Sequence, residues 1–152
     1  MLVEFSLVFV LFAFICYALV AFGLAMNLKS NLTHAASEGA RTAVGAAPTG
    51  GDATCVPDPG TPCRDAKELA TRTRITEAVG GQSDEVKAEV ARLLTDPANA
   101  HIDYCAGTSG PYCMFVSLPF DYGHHPIVPS SPGLGIVLPD TLRAAATVQL
   151  TN

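Results

Sequence analysis

Residues 5–26 read FSLVFVLFAFICYALVAFGLAM, a run of 22 residues without a charged side chain. As an α-helix this run is about 33 Å long, which is enough to cross the hydrocarbon core of a bilayer. An acid, Glu4, stands directly before it, and the first proline of the chain is Pro48. The sequence therefore predicts one uninterrupted helix from Leu2 to Val44, on the order of 65 Å long.

The second half of this predicted helix, HAASEGARTAVG, is rich in small residues. A glycine inside a helix costs about 1 kcal/mol relative to alanine, and close contact between backbones is a physical reason to keep one there. We therefore predict that Ala36, Gly39 and Ala40 lie at contacts between copies of the helix. Ala21 and Ala25, four residues apart in the apolar run, allow the same close approach.

The remaining residues, about 105 in number, suit a single small domain. The formal net charge of −5 speaks against a nucleic acid as partner, because phosphate binding needs a basic face. The apolar run raises the mean hydropathy to +0.31. No lysine or arginine precedes that run, so the basic start of a secretory signal is absent. We expect either that a leader has been removed or that the numbering starts at the mature end.

The five cysteines fall into two groups. Cys16 lies in the apolar run and is predicted to be a free, buried thiol. Cys55 and Cys63 are eight residues apart, and so are Cys105 and Cys113. Two local disulfides are the simplest pairing, although a zinc site is the alternative; the absence of any C-x-x-C motif disfavours zinc. Disulfides imply an oxidising, extracytoplasmic compartment.

The second part of the chain is predicted to fold as two short helices followed by a small antiparallel sheet. Glycines and prolines predict a loop before the first helix, which starts with a capping-box-like Asp65 to Glu68. Apolar residues at i, i+4, i+7 and i+8 predict the second helix. The predicted elements are a loop 46–64, helices 65–79 and 83–96, hairpin strands 100–105 and 112–118, a connection 119–143 and a last strand 144–151.

The N-terminal motifs together resemble the TadE-like family, pilin-related proteins of tight-adherence (Tad) pilus systems. The matching residues are Val3-Glu4-Phe5, the apolar run with Gly23, and Glu38-Gly39-Ala40-Arg41. The C-terminal half is similar as well, in Val116-Ser-Leu-Pro119 and Ala144-Ala-Ala-Thr-Val148. Pilins carry the acid at mature position five, whereas here it is residue 4.

The resemblance implies a pilin-like α+β protein: a polymerisation helix over residues 1–46 and an extracellular head over 47–152. It implies that Glu4 pairs with the N-terminal amine of a neighbouring subunit, with Phe5 and Gly23 also at assembly contacts. The implied partners are further copies in a helical homopolymer, the lipid bilayer before assembly, the inner-membrane pilus machinery and a prepilin peptidase. The protein would be membrane-anchored first and part of a cell-surface pilus afterwards.

Two other functions stay open at this stage. One is a minor pilin that primes or caps a filament, and the other is a membrane-anchored binding or enzymatic module. No hydrolase or metalloprotease motif occurs, so we predict no catalytic residue, cofactor or metal. His124-His125, with Asp121 and Tyr122 nearby, favours a solvated loop over a metal site. Glu38 and Arg41 are predicted to pair along the helix.

Overall fold

The computed structural model shows an α+β chain, as predicted. It describes residues 2–52, 55–96, 102–105, 112–124 and 140–150. The start of the predicted strand 100–105, the residues between the two hairpin strands and His125 lie outside these residues, as does most of the predicted connection 119–143. The elements described are α1 (Leu2–Gly45), α2 (Pro62–Ala78), α3 (Asp84–Thr95), β1 (Ile102–Cys105), β2 (Tyr112–Asp121) and β3 (Thr141–Leu150).

Helix α1 confirms the prediction of one long helix, because it runs without interruption from Leu2 to Gly45. Its 44 residues span about 66 Å. An 18-residue stretch within it has a mean hydropathy of 2.8, so the helix is long and apolar enough to cross a membrane. Beyond its end the Ala46 N–H donates to the Ala43 carbonyl at 3.3 Å, and Pro48 follows two residues later.

Helix α2 begins earlier than predicted. The sequence pointed to Asp65, but the first helical residue is Pro62 and the N-cap is Thr61. The Thr61 hydroxyl accepts a hydrogen bond from the Arg64 backbone N–H at 3.4 Å. Proline suits the first turn of a helix because its missing N–H would have had no partner there. This start signal lies among prolines and glycines that predict a loop, and for that reason the prediction placed the helix start three residues too late.

Helix α3 confirms the spacing argument. Its N-cap is Ser83 and its C-cap is Asp96, the two ends that the sequence predicts. The apolar positions form one face of the helix, and that face is buried. Its apolar members are Val86, Val90, Leu93 and Leu94.

The three strands form an antiparallel sheet in the order β1-β2-β3. β1 pairs with β2 from Ile102 opposite Val116 to Cys105 opposite Cys113. This pair is the predicted hairpin. β3 pairs with β2 along its whole length, from Asp121–Thr141 at one end to Tyr112–Leu150 at the other. Along β3, side chains alternate between the buried and the exposed face, as predicted.

Both long strands extend beyond their predicted limits at the same end of the sheet. β2 continues through Pro119 to Asp121, and β3 starts at Thr141 instead of Ala144. The described part of β1 reaches only Val116 on β2, so Pro119 is paired with a strand on one side, opposite Arg143. Prolines within sheets are found at positions of this kind, where a strand is paired on one side.

The hydrophobic core lies between one face of α1 and the head, residues 47–152. Buried residues recur along α1 from Ala25 to Ala43 and join one cluster with the inner face of the sheet. The boundary between the polymerisation helix and the head at residue 46 stays a prediction. The hydrophobic core contains residues from both sides of that boundary. Besides these α1 residues the cluster includes Ile75, Val79, Val86, Val90, Leu94, Met114, Val116, Leu118, Phe120, Leu142 and Ala144.

The sheet lies along the helix. The Thr71 carbonyl oxygen is 3.2 Å from the point where Gly39 would carry a Cβ, and the Thr71 hydroxyl is 3.5 Å from the Met114 sulfur. Met114 is therefore near the level of Gly39. From Gly39 the buried residues of α1 continue as far as Ala25 in one direction, whereas the helix ends six residues away in the other, at Gly45. Because β2 and β3 pack against α1, the strand from Met114 to Phe120 extends toward the N-terminal half of α1.

Candidate functional site

The first part of α1 stands clear of the head on every side. From Val3 to Cys16 every residue is exposed; we call this the N-terminal segment. Val3 is 80% and Phe5 71% exposed. Stable burial of so much apolar surface needs an environment that this chain does not itself supply. The N-terminal segment is therefore the candidate functional site.

Glu4 lies in the first turn of α1 and is exposed. The amide groups at a helix N-terminus favour a negative charge, so this position stabilises the carboxylate. Phe5, the next residue, stacks with Phe9 at 6.2 Å between ring centroids. The two residues place a charge and an apolar side chain together at the tip of the helix. Their roles in assembly stay predictions.

Gly23 lies on the exposed side of α1. A Cβ built on this residue would meet no heavy atom of the described residues within 4 Å. Contacts with the described part of the chain therefore do not explain a glycine here. An intermolecular role for Gly23 stays a prediction.

The structure corrects the prediction for the small residues of the second half of α1. Ala36 and Ala40 are 0% and 2% exposed within the single chain, and Gly39 is buried as well. A Cβ on Gly39 would lie 2.6 Å from the Ile75 Cγ1 atom of α2. Close helix packing was predicted correctly, but the partner is the head of the same chain. These three residues are not on a surface that another subunit could contact.

Ala21 and Ala25 are likewise 0% and 3% exposed in the single chain. Cys16 is unpaired as predicted, but it is exposed and not buried. The reason is that the head covers α1 only from Tyr17 onward, and Cys16 lies one residue before that limit. A neighbouring molecule or the bilayer would have to cover this thiol.

The second half of α1 is held to α2 by a buried lysine that the sequence did not reveal. Lys67 is 1% exposed, and its Nζ donates to the Ala43 and Ala46 carbonyls at 3.0 and 3.1 Å. Carbonyls at the C-terminal end of a helix lack the regular intrahelical donor, and Lys67 supplies one to Ala43 in the last turn of α1 and to Ala46 just after it. Burial lowers the pKa of Lys67, because the charged form is poorly solvated there.

A periodic signal could have identified Lys67. The buried face of α2 consists of Cys63, Lys67, Thr71 and Ile75, a strict four-residue spacing. Lysine is the member of that set least expected in a core. Its place in the spacing was the available clue.

Glu38 forms its ion pair with Arg74 of α2, at 3.8 Å, instead of the predicted Arg41. The reason is that α2 packs beside α1 and brings a second arginine within reach. Both side chains are partly exposed, so the pair contributes little to stability.

The two cysteine pairs are joined in the pattern that the equal spacing predicts. Cys55 bonds to Cys63, with 6.0 Å between Cα atoms, and ties the preceding loop to the first turn of α2. Cys105 bonds to Cys113, with 5.0 Å between Cα atoms, and these two residues are directly opposite in the β1–β2 ladder. The second disulfide therefore reinforces a backbone pairing, whereas the first fixes a loop to a helix start.

The histidine near the end of β2 is part of a surface pair. The His124 backbone N–H donates to Asp121 Oδ1 at 3.1 Å, and its ring Nδ1 is 2.7 Å from Oδ2. These hydrogen bonds, that of the backbone first, hold the pKa of Asp121 below its ordinary value. Within the described residues, no three His, Cys, Asp or Glu side chains come together as a metal site.

The apolar N-terminal segment and the helix that continues it coincide with a family match. Residues 1–41 match the TadE-like protein family. The resemblance drawn from Val3-Glu4-Phe5 and Glu38-Gly39-Ala40-Arg41 is thereby confirmed over α1. The C-terminal similarity lies outside the matched residues. No curated protein and no solved structure matches the chain.

Proposed function

We propose that this protein is a structural pilin subunit that polymerises into an extracellular type IV filament of the Tad class, used for adhesion or surface attachment. The TadE-like match supports a pilin-related, non-enzymatic protein. The observation that carries the proposal is the N-terminal segment, which is apolar and exposed on all sides.

An apolar helix that is exposed all round fits two environments. One is the bilayer, where the helix anchors the subunit before assembly. The other is the interior of a filament, where the helices of neighbouring subunits surround it. Lipid chains are about as apolar as leucine, so moving the helix from one to the other yields little hydrophobic free energy. Extraction would therefore depend on the inner-membrane pilus machinery, after a prepilin peptidase has processed the subunit.

Glu4 has a specific role in this proposal. The N-terminal amine of an incoming subunit would pair with the Glu4 carboxylate of its neighbour in the filament core. A charge pair inside an apolar core offsets part of the desolvation of both groups, whereas either charge alone is costly there. This pairing would set the axial position of one helix relative to the next.

The direct test is to shear surface material from cells that express the chain. Electron microscopy would then look for filaments, and mass spectrometry would identify their main component. This chain as the main band supports a filament subunit. A trace of the chain in filaments made of another protein would instead indicate a minor pilin, and a chain found only in the membrane would contradict the proposal.

A second variant separates a filament subunit from a membrane-anchored module. Residues 5–16 are scrambled with their composition kept, which leaves the helix apolar. Residues from Tyr17 onward are left unchanged because the head begins to cover one side of α1 there. A simple anchor should tolerate the scrambling, whereas a filament subunit should stay in the membrane and lose assembly. The matched control exchanges Leu7 and Val8, two exposed aliphatic neighbours, and should assemble normally.

A further inference from the structure

The head covers α1 on one side only, and this covered side begins inside the apolar run. Tyr17 and Ala18 are half-buried, and Ala21 is fully buried. On the rest of the helix surface the large apolar side chains remain exposed well beyond Cys16. These exposed residues are Leu19, Val20, Phe22, Leu24 and Met26.

The two sides of the helix consequently offer different apolar lengths to a bilayer. The N-terminal segment, which is free all round, has 14 residues and is about 21 Å long. On the head-free side apolar residues reach Met26, about 36 Å from Val3. A hydrocarbon core is about 30 Å thick, so the first length is too short and the second is sufficient.

The exposed side chains decide where the membrane boundary falls. A boundary at Cys16 would leave Leu19, Val20 and Phe22 in water. A boundary near Phe22 places about 30 Å of helix in the hydrocarbon and leaves Leu24 and Met26 in the interfacial layer. With the boundary there, part of the head must lie at the level of the bilayer surface.

The strand geometry shows which end of the described sheet comes nearest to that boundary. Met114 lies near the level of Gly39, and seven residues of β2 separate it from Asp121. These seven residues span about 23 Å, equivalent to about 15 residues of helix. For a strand that runs along the axis of α1, this length places the Asp121–Thr141 pair near the level of Ala25, about 5 Å beyond the hydrocarbon boundary at Phe22.

This end of the sheet has the chemistry of an interface and not of a hydrocarbon-facing surface. Asp121 is paired with His124, and the Gly123 N–H donates to the Asp140 carbonyl at 2.9 Å. Arg143, the second residue of β3 after Thr141, is exposed on the outer face of the sheet. Acidic and basic groups of this kind are tolerated among lipid headgroups and are costly in hydrocarbon.

We propose that in the membrane the Asp121–Thr141 end of the head sits in the phospholipid headgroup layer beside α1. The head is then a second contact with the lipid surface and not a domain held in water above it. The inference concerns a single chain in a bilayer and goes beyond the proposed function, because it holds whether or not the chain forms filaments.

Two threonines on the same exposed face of β3 provide a matched test. Thr141 is at the proposed lipid contact, and Thr147 is six residues, or about 20 Å, further along the strand. Each is replaced by a spin-labelled cysteine in the full chain carrying Cys16→Ala, in vesicles of phosphatidylethanolamine and phosphatidylglycerol. Collisions with a water-soluble nickel complex should be several-fold fewer at position 141. Equal accessibility at both positions would overturn the proposal.

A second measurement uses protein without a spin label, because a label could itself perturb the head. The chain is placed in bilayers that contain a lipid with a nitroxide on its headgroup. The Gly123 backbone amide resonance should broaden, whereas that of Thr147 should not. Broadening of neither amide would place the head in water, and equal broadening of both would place it flat on the membrane; either result contradicts the proposal.

Discussion

Gly39 of α1 and Ile75 of α2 approach so closely that a Cβ on the glycine would lie 2.6 Å from the Ile75 Cγ1 atom. Ile75 is fully buried, and the Thr71 carbonyl oxygen is 3.2 Å from the same point. A side chain fits there only if Ile75 changes its conformation or α2 moves. The contact explains why α1 keeps a glycine in its interior despite a cost of about 1 kcal/mol relative to alanine.

Gly39→Ala should destabilise the head itself. Overpacking of a buried contact costs about 1–3 kcal/mol, and the better helix propensity of alanine returns up to about 1 kcal/mol. We expect a lower free energy of unfolding, measured with denaturant on the full chain in detergent. Ile75→Ala removes Cγ1 and Cδ1, the two atoms nearest to the added Cβ, so the stability lost through Gly39→Ala should be smaller in an Ile75→Ala chain than in the native chain.

Gly23→Ala is the matched control, because the same change is made on the same helix where no atom lies within 4 Å. It should leave the stability of the single chain unchanged or raise it by up to about 1 kcal/mol. Equal effects of the two alanines would show that the Gly39–Ile75 contact is not tight.

Lys67→Met should destabilise the junction between α1 and α2. Methionine keeps an unbranched side chain but leaves the Ala43 and Ala46 carbonyls without the Nζ donor. A buried polar group that loses its partner costs about 1–3 kcal/mol, and this cost is partly offset here because the Ala43 carbonyl still accepts from the Ala46 N–H and because the buried charge is removed as well. The measurement is denaturant unfolding at neutral pH, and a more stable variant would contradict the capping role.

The lowered pKa of Lys67 also predicts a pH dependence. Between that lowered value and its ordinary value of 10.5, the unfolded chain binds more protons than the folded chain. The free energy of unfolding should therefore rise with pH across this interval. The difference in free energy of unfolding between the native chain and Lys67→Met should therefore grow with pH. Groups that titrate in both chains do not contribute to this difference. Both chains carry Cys16→Ala to prevent thiol exchange, and a constant difference up to pH 10.5 would refute the prediction.

Glu4→Gln should impair assembly without affecting anchoring. Glutamine keeps the size of the side chain but removes the attraction to a neighbouring amine. We expect normal amounts of the variant in the membrane and few filaments in the sheared fraction, both quantified by immunoblot. Glu38→Gln is the control, because the partly exposed Glu38–Arg74 pair contributes at most about 1 kcal/mol. If Glu4→Gln gives the same filament yield as the wild type, Glu4 has no role in assembly and is only an acid at the membrane interface.

Removal of either disulfide should lower stability by a similar amount. Both pairs are eight residues apart, and the chain-entropy estimate for such a loop is about 2–3 kcal/mol. The double variants Cys55→Ser/Cys63→Ser and Cys105→Ser/Cys113→Ser are compared by denaturant unfolding. Peptide mapping without reduction checks the pairing, and a peptide joining Cys63 to Cys105 would disprove it.

The elements that the sequence predicted best are those set by local chemistry. The apolar run without proline determines α1, and the apolar spacing from Val86 to Leu94 determines α3. The predicted ends of helices and strands were wrong where two sequence signals conflicted. Thr61-Pro62 is a helix start that lies among loop-forming residues, and Pro119 ended the predicted β2 although the strand continues past it.

The partners of α1 were harder to predict because small residues indicate close packing without indicating what packs there. Ala36, Gly39 and Ala40 have the composition of an intermolecular contact, yet they face the head of the same chain. Lys67 was overlooked for a related reason: a lysine is assigned to the surface unless a specific acceptor is known. Its acceptors are carbonyls of α1 that are more than 20 residues away in sequence.

The long seam between α1 and the head has a mechanical consequence. Core residues from Ala25 to Ala43 line about 27 Å of helix. Lys67 adds a hydrogen bond at the C-terminal end of this interface. Tension along the helix axis loads all these contacts in shear at the same time. A head attached only at one end of the helix would instead lose its contacts one after another. Traction on the N-terminal segment therefore reaches the sheet directly, and the subunit responds to a pull as one stiff body.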